Sequence, residues 1–155
     1  MAFKNKAKGT KYENELYDLL IEAGYMCIRS AGSGTKKESN VDLLAGKKGK
    51  KFAIEVKSSK KKTKYISREQ INGFMVFSEI FRLKPVVALR FNRFGWFFIH
   101  PKKMRKTEKN WAITLEKARK KGKRFSQFFS DNKKIKKKKT KKTNQELDYE
   151  LYLES

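Results

Sequence analysis

The chain has 155 residues and carries 40 lysines and arginines against 16 acids, a formal net charge of +24 that implies a polyanionic partner. Its 38% hydrophobic and 13% aromatic content is too apolar for a disordered basic arm, and its single cysteine and single histidine exclude an internal disulfide and a thiolate- or histidine-rich metal site. No apolar run is long enough to span a bilayer and no signal-peptide pattern opens the chain, so nucleic acid is the expected partner rather than a membrane.

Residues 1–8 read as a short basic arm. A helix follows, with Thr10 as N-cap and Glu13 at the capping-box position. Tyr12, Leu16, Leu19, Leu20 and Ala23 share one face of it, and Gly24 is its stop. Tyr25 to Ser30, YMCIRS, is a predicted strand in which Cys27 is a small buried hydrophobe rather than a reactive thiol. Residues 31–40, AGSGTKKESN, form a polar loop and a candidate flap. From it Ser33, Lys36 and Lys37 either touch phosphates or are simply solvated.

Val41 to Lys57, VDLLAGKKGKKFAIEVK, reads as two strands joined by a glycine- and lysine-rich turn. Asp42 opens the first. Glu55 and Lys57 are two apart on the second and so share a face, while Ile54 and Val56 point the other way. One face should therefore be apolar and the other should gather two carboxylates and an ammonium. The basic run SSKKKTK leads to a second helix, capped by Ser67 with Gln70 at the capping-box position. Ile71, Phe74, Phe77 (or Ser78) and Phe81 mark its apolar side.

PVVALRF, from Pro85, and WFFIH, after the turn NRFG, read as an antiparallel hairpin. Both faces of WFFI are apolar, so this strand is either central to a covered sheet or partly covered by a second subunit. WAITL reads as one more strand and RFSQFF as a final apolar anchor. From Ser130 a lysine-rich and then acidic tail holds 8 lysines and 5 acids; residues 1–129 keep 32 basic and 11 acidic residues, or +21. The element order predicts an α/β domain over 1–129, with a mixed central sheet flanked by helices, followed by a tail over 130–155.

An acid, about a dozen residues, and then E-x-K is the mark of a broad class of metal-dependent nucleases. Two carboxylates can hold a hard divalent cation against a phosphate, while a lysine steadies the charge that builds as water attacks. Isolated, Asp42, Glu55 and Lys57 are equally readable as surface charges on a half-exposed sheet. Their setting favours the site: apolar flanks, a glycine-bearing loop just before, and a cationic domain. By spacing alone Glu13 and Gln70 have structural roles in capping boxes, and Arg29 either contacts phosphate or pairs with a site carboxylate.

The run KGTKYENEL, then GYMCIRSAGSG, VDLLAG, FAIEVKS and PVVALRFNRFGWFFI, resembles the archaeal Holliday junction resolvases of the Hjc type, in the restriction-endonuclease-like superfamily. The likeness covers about Lys8 to Ile99, with weaker matching to about Phe129. It implies that Glu13 is an essential glutamate, that Asp42 and Glu55, with help from Glu13 and the carbonyl of Val56, bind metal, and that Lys57 is the catalytic lysine. It further implies that Ser33 is a flap serine needed for cleavage, that Arg29 is a basic residue near the DNA, and that Gln70 is an auxiliary. Asn14 departs from the arginine that family members often carry. Lys36, Lys37, Lys60, Lys61 and Lys62 are the candidate DNA contacts.

The resemblance also implies Mg²⁺ as cofactor (Mn²⁺ as substitute), branched four-way DNA as substrate, and a homodimer whose twofold axis matches the paired cuts. The hairpin around Trp96 is the candidate region next to the dimer contact. It places the protein in the cytoplasm, at the nucleoid of an archaeal-type cell or in the host of a virus. Gly122 to Phe129, GKRFSQFF, has the paired-aromatic half of a sliding-clamp-binding peptide, with glycine where glutamine is usual; the plainer reading is an anchor to the core. The rival functions are a nuclease of the same fold acting on other DNA, and a non-catalytic architectural protein that would need none of these acids.

Overall fold

The computed structural model describes residues 2–30 and 41–130; the loop carrying Ser33, Lys36 and Lys37, the tail, and the side chains of residues 2–8 lie outside that description. The first helix, α1, spans Ala2–Glu22. It runs through Thr10, so the expected basic arm belongs to the helix and the Thr10–Glu13 capping box does not form. No proline interrupts 2–22, and Leu16 and Leu20, fully buried, hold this helix to the sheet. Tertiary packing thus overrides the local start signal. The stop is where the sequence places it. Gly24 has φ +82°, its N–H reaches the Ile21 carbonyl at 2.9 Å, and the Tyr25 N–H reaches Leu20 at 3.0 Å, the paired bonds of a Schellman cap.

Five strands form the main sheet: β1 (Met26–Arg29), β2 (Leu43–Lys47), β3 (Lys50–Ser59), β5 (Lys84–Phe91) and β6 (Gly95–Ile99), in that spatial order. All neighbours are antiparallel except β3 and β5. Parallel neighbours need a crossover, and α2 (Arg68–Ile80) supplies it. The mixed sheet with flanking helices is the architecture expected. Beyond it lies a second sheet of three strands, β4 (Thr63–Ser67), β8 (Asn110–Thr114) and β7 (Arg105–Lys106), ordered β4-β8-β7. β8 is the predicted WAITL strand. β4 escapes sequence reading because only Ile66 of its five residues is buried and a lysine run precedes it.

Two cores sandwich the main sheet, and strand alternation sorts residues between them. On β5, Val86 and Ala88 join Leu16, Leu20, Phe52 and Ile54 beneath α1, while Val87, Leu89 and Phe91 join Ile71, Phe74 and Ile113 on the α2 side. On β6, Trp96 and Phe98 face the first core, and Phe97 and Ile99 the second. This strand is at the sheet's edge, yet both its faces are covered by the chain's own helices, including α3 (Leu115–Lys121). The double burial of WFFI therefore needs no second subunit.

The predicted apolar anchor is α4, Phe125–Phe129. Phe129 is 1% exposed and meets Tyr25, Phe52 and Phe98 with ring centroids 4.9–5.5 Å apart; Phe128 stacks on Phe98 at 5.8 Å. These rings pack into and against the core, as the anchor reading has it. Cys27 is partly buried, and burial pushes its thiol up to about 11, in keeping with an unreactive side chain. Among the described residues no helix is long and apolar enough to cross a membrane. Replacing Phe129 by alanine should cost about 3–5 kcal/mol, read as a lowered urea midpoint.

Candidate active site

The site begins where β2 ends. β2 pairs with β3 only as far as Leu43 opposite Ile54, but β3 continues to Ser59. The Asp42 N–H makes one last ladder bond to the Ile54 carbonyl at 3.2 Å. The Asp42 carboxylate then replaces the missing strand: Oδ2 accepts the Val56 N–H at 2.7 Å. N–H and C=O of one strand residue point to the same edge, so the Val56 carbonyl also faces this opening.

Glu55 follows the alternation of β3 toward the α2 side, as Lys57 does. That face is not open, however: Glu55 is 2% exposed, because the crossover helix covers it. Lys57 Nζ lies 2.7 Å from Glu55 Oε1, and Gln70 Nε2 donates to the same oxygen at 2.8 Å. Ser67 caps α2 by accepting the Gln70 N–H at 3.2 Å, but the Gln70 side chain bonds Glu55. The cap is there; the reciprocal half of the box goes to the site instead.

Glu13 projects from α1 into the same opening, and its Oε2 accepts from Arg29 Nε at 3.1 Å. Of the two roles open to Arg29, pairing with a site carboxylate is the one observed. Tyr12 and Glu13, Asp42, Val56 and Lys57, with Lys60 and Lys64, line an open cleft of about 570 Å³. Lys61 and Lys62 are exposed on the adjoining turn and do not line it. The sequence reading missed Lys64. Its signal was the two-residue spacing from Ile66, which puts both on the inward side of β4.

Trp96 lies in the core beneath α1 and ties that helix down. Its Nε1 donates to Glu15 Oε1 at 2.8 Å, and Arg90 Nε reaches the same oxygen at 3.2 Å. Tyr12 meets the Trp96 ring edge-on at 6.3 Å. The hairpin thus clamps α1 in the turn that carries Glu13, which makes Glu15, Arg90 and Trp96 supports of the site.

Burial pushes Glu55 up to about 7; Lys57 opposes the shift and Asp42 adds to it. Asp42 is also raised, chiefly by burial and further by Glu13, against the Val56 N–H and Lys57. Asp42 and Glu55 influence each other's protonation. Among the described residues no three acids or other ligands form a ready-made metal cage, since each carboxylate is held by its own donor. The donor set nevertheless suits a hard cation: adjacent buried carboxylates, a third from α1 and a strand carbonyl, all oxygen.

A model of the family described as archaeal Holliday junction resolvase (hjc) matches residues 4–137. The chain belongs to the archaeal Holliday junction resolvase (Hjc) family. Curated relatives agree. The crossover junction endodeoxyribonuclease Hjc of Methanocaldococcus jannaschii is 42% identical over 106 residues, 68% of this chain and 75% of that protein. The Archaeoglobus fulgidus protein of the same name is 35% identical over 133 residues, covering 81% and 98%. A crossover junction endodeoxyribonuclease of Sulfolobus islandicus rod-shaped virus 1 is 30% identical over 92 residues, covering 57% and 76%. The solved structure of Archaeoglobus fulgidus Hjc, a Holliday junction resolvase, aligns with TM-score 0.72 and 30% identity over 78% of this chain and 99% of that one. Family and fold therefore agree with the resemblance read from the motifs.

The raised Glu55 has a consequence for stability without divalent cation. The folded state holds this proton more tightly than the unfolded chain, so stability from Glu55 is full below about 4.5 and falls as pH rises toward about 7. Glu55→Gln should melt higher than the parent above about pH 7 and match it near pH 4 in thermal scans with chelator.

Proposed function

We propose that this protein is a metal-dependent, structure-selective endonuclease that resolves four-way DNA junctions by paired symmetric strand cuts. The observation that carries the reading is the early end of β2, which sets the Asp42 carboxylate on the Val56 N–H beside the buried Glu55–Lys57 pair. An architectural protein would have no use for a buried acid pair that burial destabilises. The names of the relatives support the same activity.

Asp42, Glu55, Glu13 and the Val56 carbonyl are the oxygens that would hold Mg²⁺, or Mn²⁺ in its place, and the cation would supply Lewis-acid charge at the scissile phosphate and a more acidic attacking water. Lys57 stands beside Glu55, where its ammonium can steady the charge developing on the phosphate. Gln70 orients the Glu55 carboxylate from α2, and Arg29 holds Glu13 toward the cleft. The basic body draws in the phosphate backbone and gives binding a steep salt dependence without reading bases.

Two cuts on equivalent strands call for two sites on a twofold axis, hence a homodimer. An exposed apolar face supports it. Met26 is 82% and Ile28 66% exposed on one side of β1, and Ile80 is 71% and Phe81 59% exposed at the end of α2. Ile28, Leu44 and Phe77 line a groove between them, and Phe77 stacks on Phe81 at 4.5 Å. An apolar patch of this kind marks an interaction site.

Incubation of a labelled four-way junction and a linear duplex of the same sequence, with and without Mg²⁺, tests the reading. Paired nicks on the junction alone, and only with metal, are expected; equal cutting of duplex would discard junction selectivity. Asp42→Asn should lower the cleavage rate by at least about 10²-fold with junction affinity nearly unchanged in gel shifts. Ile28→Glu combined with Phe81→Glu should convert a dimer to a folded monomer by sedimentation velocity; a dimer that survives both would move the interface elsewhere.

A further inference from the structure

Of the lysines that line the cleft, Lys57 and Lys64 come from strands of different sheets, and they differ in what neutralises them. Lys57 is spent on Glu55 at 2.7 Å. Lys64 lies across the cleft on β4, and among the described residues it has neither hydrogen bond nor ion pair. It stands two residues before Ile66, which is 2% exposed, so it leaves β4 from the inward side while Tyr65 and Ser67 face solvent. Its stem is partly buried as a result. Burial, with Lys57 as a second cause, makes its ammonium easier to deprotonate than an ordinary lysine. A half-buried cation with no counter-charge is unfavourable until an anion arrives.

The rest of the cleft settles what that anion would be. Glu13 and Asp42 line it together with Lys57, Lys60 and Lys64, so a phosphodiester strand brought against those acids by a divalent cation would also meet lysines. Resting on the reading of this cleft as the DNA-cutting site, we infer that Lys64 is a substrate-binding residue that holds a phosphate oxygen of the strand being cut. The second sheet then has a function beyond covering the core: it presents to the cleft a half-buried cation that no described acid pairs. Lys60 to Lys62, exposed on the turn, add diffuse attraction, while Lys64 acts at a fixed point.

A competing role exists on the page. β4 is an edge strand of its sheet, and an inward-pointing charge on an edge blocks unwanted strand pairing. The two roles separate by experiment. Junction binding by the full chain is measured over a range of salt with Ca²⁺ in place of Mg²⁺, and single-turnover cleavage is measured at saturating protein with Mg²⁺. Lys64→Met should weaken binding about tenfold at fixed salt and reduce the salt slope by about 0.9, the release expected for one lost phosphate contact. Cleavage should fall with it, Lys64→Arg should recover most of both, and the melting temperature of Lys64→Met should not fall. If Lys64→Met fails to fold, Lys64→Gln carries the same comparison. An unchanged salt slope and cleavage rate, with or without new self-association, would overturn the inference in favour of edge protection. Wild-type protein that binds the junction but never cuts it would instead sink the reading of the cleft as an active site, and the salt slope would still decide Lys64.

Discussion

The register of one strand pair governs this molecule. β2 stops opposite Ile54 while β3 runs on to Ser59, leaving part of a central strand without a neighbour on that side. A buried backbone N–H needs a partner, and the Asp42 carboxylate provides it for Val56 at 2.7 Å. The same bond fixes the carboxylate in the gap, next to Glu55. One backbone requirement thereby positions a functional acid more firmly than a free rotamer would.

The acids are then controlled by different elements. Glu55 is governed by Lys57 on its own strand and by Gln70 on the crossover helix, and Glu13 by Arg29 on the edge strand. Each carboxylate keeps at least one donor that limits repulsion among the three. Burial nevertheless leaves Glu55 raised to about 7, so the site holds a proton more readily than exposed acids do. The two cores on either face of the sheet offset the cost of burying that charge.

Support for α1 comes from the far hairpin. Glu15 accepts from both Arg90 and Trp96, and Tyr12 rests on the Trp96 ring, so the helix turn bearing Glu13 is tied to β5 and β6. The aromatic hairpin and α4 are thus consumed by the protomer itself. The most exposed apolar side chains among the described residues lie elsewhere, on β1 and the end of α2.

The motifs, the alternation on β5 and β6, the stop at Gly24 and the cap at Ser67 were legible in the sequence because each depends on residues close along the chain. Spacing of two on β3 was enough to put Glu55 and Lys57 on one face, and the family motifs were enough to name Glu13, which its local pattern disguised as a cap. What only the tertiary structure decided depends on elements far apart in sequence. Packing carried α1 back through Thr10, the crossover closed over Glu55, and Gln70 exchanged its local partner for a carboxylate 15 residues away. Trp96 found Glu15 at a separation of 81 residues, and Lys64 met the cleft through a strand whose single buried residue gave little pattern to read. Local sequence encodes faces and ends, whereas a partner for a buried polar group is chosen among everything that packing brings within reach.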